Sequence, residues 1–343
     1  MKNIAITFVF FSLLWADGGF IPPPGNVEIY SADQIAVIKI LPGIEELSIL
    51  VKSHWIEHGG SDYAGFAWVI PLPSIPEVGQ LDSELFTDLA YLSAPIRPTG
   101  GCSGPLTLGE NGGTYGGSVE PGREYYDIIS YDTLGFLESV LIQTNTADSL
   151  TSWLTNNGYV TPPDAQEIFS DYITRDWNYF FVARVDTTSE TDDRNVAIKL
   201  TFATTDIVYP MKISSISSST GNELYLYTIG EHKMFFDGAE LEYANLITNE
   251  ELDAIQIDFP ALADYIEQGS YITKLKCYYS TPEDMDDDIA LYQSPDDTEY
   301  RKLAGGGYYL HSMCNSILLS LILLLVYIGF HTIRKIRSSD SAE

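Results

Sequence analysis

One stretch near the C-terminal end limits every topology open to this chain. From Ser316 to Ile333 the residues run without a charged side chain, "SILLSLILLLVYIGFHTI". As a helix rising ~1.5 Å per residue, this run spans about 27 Å, close to the hydrocarbon thickness of a bilayer. In that medium every backbone N–H and C=O needs an internal partner, which a helix supplies. Arg334, Lys335 and Arg337 follow at once, and Tyr308 and Tyr309 precede it. These are the positive-inside flank and the interfacial aromatics of a single-pass anchor. His331 stands near the basic end, where it can snorkel. A buried core helix is the alternative, and both the length and the asymmetric flanks speak against it. In a further variant "AGGGYY", the apolar run and the basic cluster form a sorting signal that is cut and exchanged.

The other end agrees with this topology. Lys2 precedes the apolar run Ile4 to Trp15, followed by Ala16 and a polar start at Asp17. A basic head, an apolar middle and a small residue make a secretory signal peptide, with cleavage after Ala16. The expected organisation is therefore a signal peptide (1–16), an extracytoplasmic body (17–304), a juxtamembrane linker (305–315), a transmembrane helix (316–333) and a cytoplasmic tail (334–343). The location is the cell membrane, crossed once, with the body outside and the tail inside.

The chain carries 48 acidic against 18 basic residues. Setting aside Lys2 and the charged residues of the tail leaves 46 acidic and 14 basic, a net −32 on the exported body. Nucleic-acid binding rests on neutralising phosphates with Lys and Arg, so that partner class is excluded. The plain reading of the charge is solubility and self-avoidance. Of three cysteines, Cys314 lies at the mouth of the anchor, while Cys102 and Cys277 fall in the exported body. A disulfide can persist there, which makes Cys102 and Cys277 a candidate pair. No spacing of Cys and His fits a zinc finger.

Within the body, "EIYSADQIAVIKI" and "EELSILVKSHW" alternate apolar and polar residues on either side of Pro42-Gly43, as two strands joined by a turn. "FAWVIPLP" is a strand that Pro71 and Pro73 should end or place at a sheet edge. "DSELFTDLAYL" has helical spacing, and "TADSLTSWLTNNGY" reads as a helix capped by Thr146 and ended by Asn157-Gly158. "NYFFVARVD", "NVAIKLTFAT", "VYPMKISSIS" and "ELYLYTIGEHKM" are strand candidates, rich in β-branched and aromatic residues. Thr248 and Glu251 form a capping box, "FPALADYIEQG" reads as another helix, and "YITKLKCYY" closes the strands. The glycine-rich loop 99–122 marks a possible subdivision of the body. The expected class is α+β, with mixed, mostly antiparallel sheets, a few interspersed helices and the one C-terminal transmembrane helix.

Several of these stretches together resemble the family known as domain of unknown function 2330. They are "DGGF" at Asp17 to Phe20, Asp33-Gln34, "FAWVIPLPSIPEV", "LFTDLAYLSAPI", "LTSWLTNNGY", "LTFATTDIVYPMKISSIS", "LYLYTIGEHKM" and "YITKLKCYYSTPEDMDDDIALYQ". The resemblance spans nearly the whole body. It implies export and one shared scaffold, and it brings no catalytic residues to carry over. Asp17 stands where a Cys is expected in many relatives, so the resemblance does not secure Cys102 and Cys277 as a family-type bridge.

Few residues combine into chemistry. "HWIEHGG" has the order of an inverzincin motif, with His54, Glu57 and His58. On a helix the two imidazoles would lie about 6 Å apart and could share zinc; on a strand they would stand roughly 13 Å apart and could not. The alternating residues before His54 and Gly59-Gly60 after it favour the strand. Asp284, Asp286 and Asp288 match the first three positions of an EF-hand loop, which then fails at Ile289 and Pro295. A looser calcium site on these three, or a solvated acidic turn, remains. Ser103 lacks a complete nucleophile motif, Cys102 has no cationic helper nearby, and His232 has Glu231 as its natural partner. No catalytic residue and no cofactor is assigned. Aromatic residues make up 13% of the chain, with 23 Tyr, enough for a protein- or glycan-binding face if tyrosines reach the surface. Trp68, Trp153 and Trp177 lie in apolar patterns and belong in the core. The expected function is a membrane-anchored, non-catalytic binding or structural module at the cell surface. The alternative is an extracytoplasmic hydrolase whose residues converge from distant strands.

Overall fold

Alternating strands bury one face and need a second layer to cover it; strands apolar on both faces need two. The protein satisfies both needs in four layers. The structure, a computed structural model, describes residues 19–22, 27–29, 33–52, 55–57, 65–96, 127–134, 137–185, 195–217 and 222–303. The signal peptide, the glycine-rich loop 99–122, the linker, the anchor 316–333 and the tail lie outside the described residues. Among those described, no helix is long and apolar enough to cross a membrane.

The chain begins with β1 (Gly19–Ile21) and β2 (Val27–Ile29), then the hairpin of β3 (Asp33–Leu41) and β4 (Ile44–Lys52). Gly43 turns that hairpin at φ +73°, a backbone region that costs glycine little. β5 (Trp55–Glu57), β6 (Phe66–Leu72), β7 (Glu77–Leu81) and α1 (Glu84–Leu92) follow. The hairpin of β8 (Asp127–Leu134) and β9 (Leu137–Gln143) leads into α2 (Ala147–Asn156) and α3 (Ala165–Thr174). Thr146 caps α2 by accepting from the Ser149 N–H, and Gly158 leaves it at φ +85°. Next come β10 (Tyr179–Val185), β11 (Asn195–Ala203), β12 (Val208–Tyr209), a 3₁₀ turn (Lys212–Ile216), β13 (Asn222–Gly230) and β14 (Met234–Phe235). β15 (Glu240–Leu246), α4 (Asn249–Asp258), α5 (Pro260–Ala263) and β16 (Tyr271–Tyr279) complete the main body. The short strands β17 (Ile289–Ala290), β18 (Tyr292–Gln293) and β19 (Tyr300–Arg301) end it.

Five strands form one sheet in the order β1-β6-β10-β9-β8, and eight form another, β19-β15-β16-β13-β3-β4-β11-β7. The pairings within both sheets are antiparallel except β13 on β3. The inner faces of the two sheets share one core, with Trp68, Ile70 and Phe181 from the first and Ile38, Leu47, Leu200 and Leu226 from the second. α2, α3 and the 3₁₀ turn cover the outer face of the five-stranded sheet through Leu150, Leu154, Phe169 and Tyr172. α1, α4 and α5 cover that of the eight-stranded sheet through Leu85, Leu89, Ile255 and Leu262. β6 is buried along its whole length, which is why it reads as an unbroken apolar run. Among the described residues its pairing with β1 stops at Val69, and Pro71 has only β10 beside it. The fold class is thus α+β with mostly antiparallel sheets and few helices.

Several expectations need correction. "VYPMKISSIS" is not a strand: it pairs only at Val208–Tyr209 and then winds into the 3₁₀ turn. Pro210 withholds a donor, the Lys212 N–H goes to the Asp288 carboxylate (3.0 Å) and the Ile213 N–H to the Tyr172 hydroxyl (3.1 Å). "FPALADYIEQG" is helical only over Pro260–Ala263. β7, β15 and α3 arise where no element was expected, and three short strands follow β16. By contact grouping, residues 1–94 and 107–301 make one unit holding both sheets. The second unit, 95–106 with 302–343, is described only at 95–96 and 302–303, where Ile96 and Leu303 form a parallel bridge.

Candidate functional site

At one end of the eight-stranded sheet, β15 and β19 meet the C-terminal half of α4 and leave a cleft of about 330 Å³. That is the lower end of the range for small-ligand sites. Three local features build it. First, Thr248, two residues past β15, starts α4 with a reciprocal capping box: its hydroxyl accepts from the Glu251 N–H, and Glu251 accepts from the Thr248 N–H (2.9 Å). Second, the pairing of β15 with β16 slips between Leu241 and Tyr243. The slip turns Leu241 toward the inter-sheet core and Tyr243 to the opposite face, against α4. A bulge of this kind re-aims a side chain. Third, β19 pairs with β15 at Tyr243↔Arg301 and Ala244↔Tyr300, closing the far wall.

The walls are aromatic and apolar: Tyr243, Phe259, Tyr300, Ile255, Ile247 and Leu92. Tyr243 is only 4% exposed, and no hydrogen bond to its hydroxyl is found among the described residues. Burial pushes this phenol up to about 12, with Arg301 working the other way and Glu251 and Glu299 with it, so it stays protonated. The polar rim divides into spent and unspent groups. Arg301 donates from Nε to the Ala94 carbonyl (3.0 Å) and from its guanidinium to the Leu92 carbonyl, and lies 5.4 Å from the Tyr243 ring centre. Glu251 accepts from Thr248 on one oxygen and from the Asn245 amide (3.0 Å) on the other. Burial works to raise its pKa, but these hydrogen bonds hold it below the ordinary range. Asp258 and Glu299 also line the cleft, exposed, and no hydrogen bond or ion pair engages them among the described residues.

A family profile described as an uncharacterized protein conserved in bacteria, DUF2330, matches residues 56–292. The chain belongs to this family. No curated protein and no solved structure matches it. The DUF2330 segment supplies Tyr243, α4 and Phe259 to the cleft, while Tyr300 and Arg301 come from just beyond it.

Elsewhere in the DUF2330 body the residues singled out from sequence are placed as follows. Residues 44–52 and 55–57 are strands, as the extended reading of "HWIEHGG" requires; His54 and His58 themselves lie outside the described residues. Asp284 caps its own turn, accepting from the N–H groups of Ser280 and Thr281 (3.0 Å each). Asp288 points inward and accepts from the Tyr172 hydroxyl (2.6 Å), from Arg175 (2.9 Å) and from the Lys212 N–H. Asp286 is exposed. Among the described residues no three His, Cys, Asp or Glu side chains stand together as a metal site. Cys277 sits half-buried on β16, and Cys102 and Ser103 lie outside the described residues. His232 pairs through Nδ1 with Asp297 (2.8 Å) rather than with Glu231, and Asp297 is itself held by the Lys233 N–H (2.8 Å). Trp68 and Trp153 are buried and Trp177 packs against the helical layer. The cleft residues were missed because the bulge breaks the period-2 pattern of β15. Only the capping box signalled where α4 begins.

Proposed function

We propose that this protein is an extracytoplasmic binding module, anchored to the cell membrane by its C-terminal apolar helix, with the α4 cleft as its ligand seat. The observation that carries the reading is the cleft itself: an aromatic-walled concavity with an unengaged phenol inside and unspent carboxylates at its mouth. Several charged groups elsewhere serve the scaffold. Asp288 fastens α3 to the 3₁₀ turn, and the ion pairs of Lys274 with Glu242 (3.0 Å) and Lys276 with Glu223 (2.5 Å) cross-link β15, β16 and β13. The test is a fragment library screened by saturation-transfer NMR on the full chain in a non-ionic detergent, repeated with Tyr300→Ala. Hits lost in the variant support the seat; hits that persist place binding elsewhere.

A second reading, an extracytoplasmic hydrolase, draws on the His232–Asp297 pair, in which the carboxylate orients the imidazole as a general base requires. No Ser, Thr or Cys is hydrogen-bonded to His232 among the described residues. Turnover of a panel of esters and peptides that disappears in His232→Ala would favour this reading over the first.

A further inference from the structure

We propose that the α4 cleft takes an organic cation, an alkylammonium whose charged head sits between Asp258 and Glu299 and whose apolar chain lies against Phe259, Ile255 and Tyr300. This rests on the cleft being the ligand seat and adds the charge and chemical class of the ligand. Four observations point the same way. Arg301, the cation among the described lining residues, already places two of its five N–H donors on the carbonyls of Leu92 and Ala94 and turns its face to Tyr243, so it is partly held by the scaffold. Glu251 is consumed by the capping box and Asn245, which leaves Asp258 and Glu299 as lining carboxylates that form no ion pair or hydrogen bond among the described residues.

Asp258 is the last residue of α4, and no basic residue occupies that helix's last turn. The unpaired carbonyls at a helix C-terminus carry partial negative charge and favour a cation there. Finally, Tyr243, a residue only 4% exposed that lines the cleft, has a hydroxyl without a hydrogen-bond partner among the described residues, and it offers an oxygen to an ammonium N–H. Aromatic faces at Tyr300 and Phe259 add attraction for a cation that an anion would not feel.

The experiment is calorimetric titration of the full chain in non-ionic detergent with hexylammonium, hexanoate and hexan-1-ol. Hexylammonium is expected to bind at least tenfold more tightly than either control, and to weaken as salt is added. The double variant Asp258→Asn, Glu299→Gln should weaken it roughly tenfold, the sum of two exposed ion pairs, while leaving the thermal midpoint nearly unchanged. Tyr300→Ala should weaken it as well. Hexanoate or hexanol binding equally well, and lost in Tyr300→Ala, would overturn the cation while sparing the cleft as seat. Hexylammonium binding that survives both variants overturns the proposal outright. No binding by any of the three overturns the cation, and the fragment screen then decides on the cleft.

Discussion

Glu45 is fully buried on β4, on the face that meets the other sheet. One oxygen accepts from the Val208 N–H (3.2 Å) and the other has no partner among the described residues. Burial pushes its pKa up to about 8 against that single hydrogen bond. Below its ordinary value of 4.5 the carboxyl is protonated whether folded or unfolded, and ionisation contributes nothing to the difference between the two states. Between 4.5 and about 8 the unfolded chain releases the proton while the folded one keeps it, so stability falls as pH rises through that window. Glu45→Gln is expected to remove this fall, raising stability at pH 9 by on the order of a few kcal/mol while changing little at pH 4. Urea unfolding of both proteins across the range would show it, and parallel pH curves would refute it. At the cleft, Thr248→Ala should cost about 1 kcal/mol by uncapping α4. The capping box was legible because it is a contact between residues three apart. Glu45 was not, since a charged residue in an alternating strand gives no sign of which face it occupies.

Among the elements, the helical layer on the five-stranded sheet depends on two close fits. Gly19 of β1 faces the 3₁₀ turn so tightly that an added Cβ would meet Ile213 Cγ1 at 2.8 Å and the Ile213 carbonyl at 2.9 Å. Gly19→Ala must therefore shift backbone, and a loss of about 1–3 kcal/mol is expected by urea denaturation. Asp288 is the second fit. Its side chain is 2% exposed and joins Tyr172 and Arg175 of α3 to the start of the 3₁₀ turn. Asp288→Ala would leave three donors without an acceptor, and a cost of about 3–5 kcal/mol is expected, against about 1–2 kcal/mol for Tyr172→Phe, which orphans the Ile213 N–H alone. Equal losses from the two would contradict this account. These contacts explain why "VYPMKISSIS" misleads. Its β-branched residues suit a strand, but side chains distant in sequence capture the N–H groups that a ladder would need. α3 was not expected from the sequence, although Ala165, Phe169 and Tyr172 stand at helical spacing after Pro162-Pro163.

For the whole molecule, the layered body lets two sheets bury apolar faces against each other and against helices on both outer sides. β1 sits directly after the expected cleavage point, so removal of residues 1–16 would leave the five-stranded sheet its edge strand. N-terminal sequencing of the exported protein is expected to begin at Asp17, and a protein recovered with Met1 would count against export by cleavage. The sequence by itself determined the class of the body, most strands, α1, α2 and the start of α4, and it is the sole basis on which we propose a placement across a membrane. These depend on periodicity, caps and run length, which neighbouring residues carry. Only the tertiary structure decided the sheet order, the inward turn of Asp288, the pairing of His232 with Asp297 and the cleft beside α4. Each of those joins residues far apart in the chain, and in β15 a single slip in register moves Tyr243 to the face that the alternation of residues assigns to its neighbour.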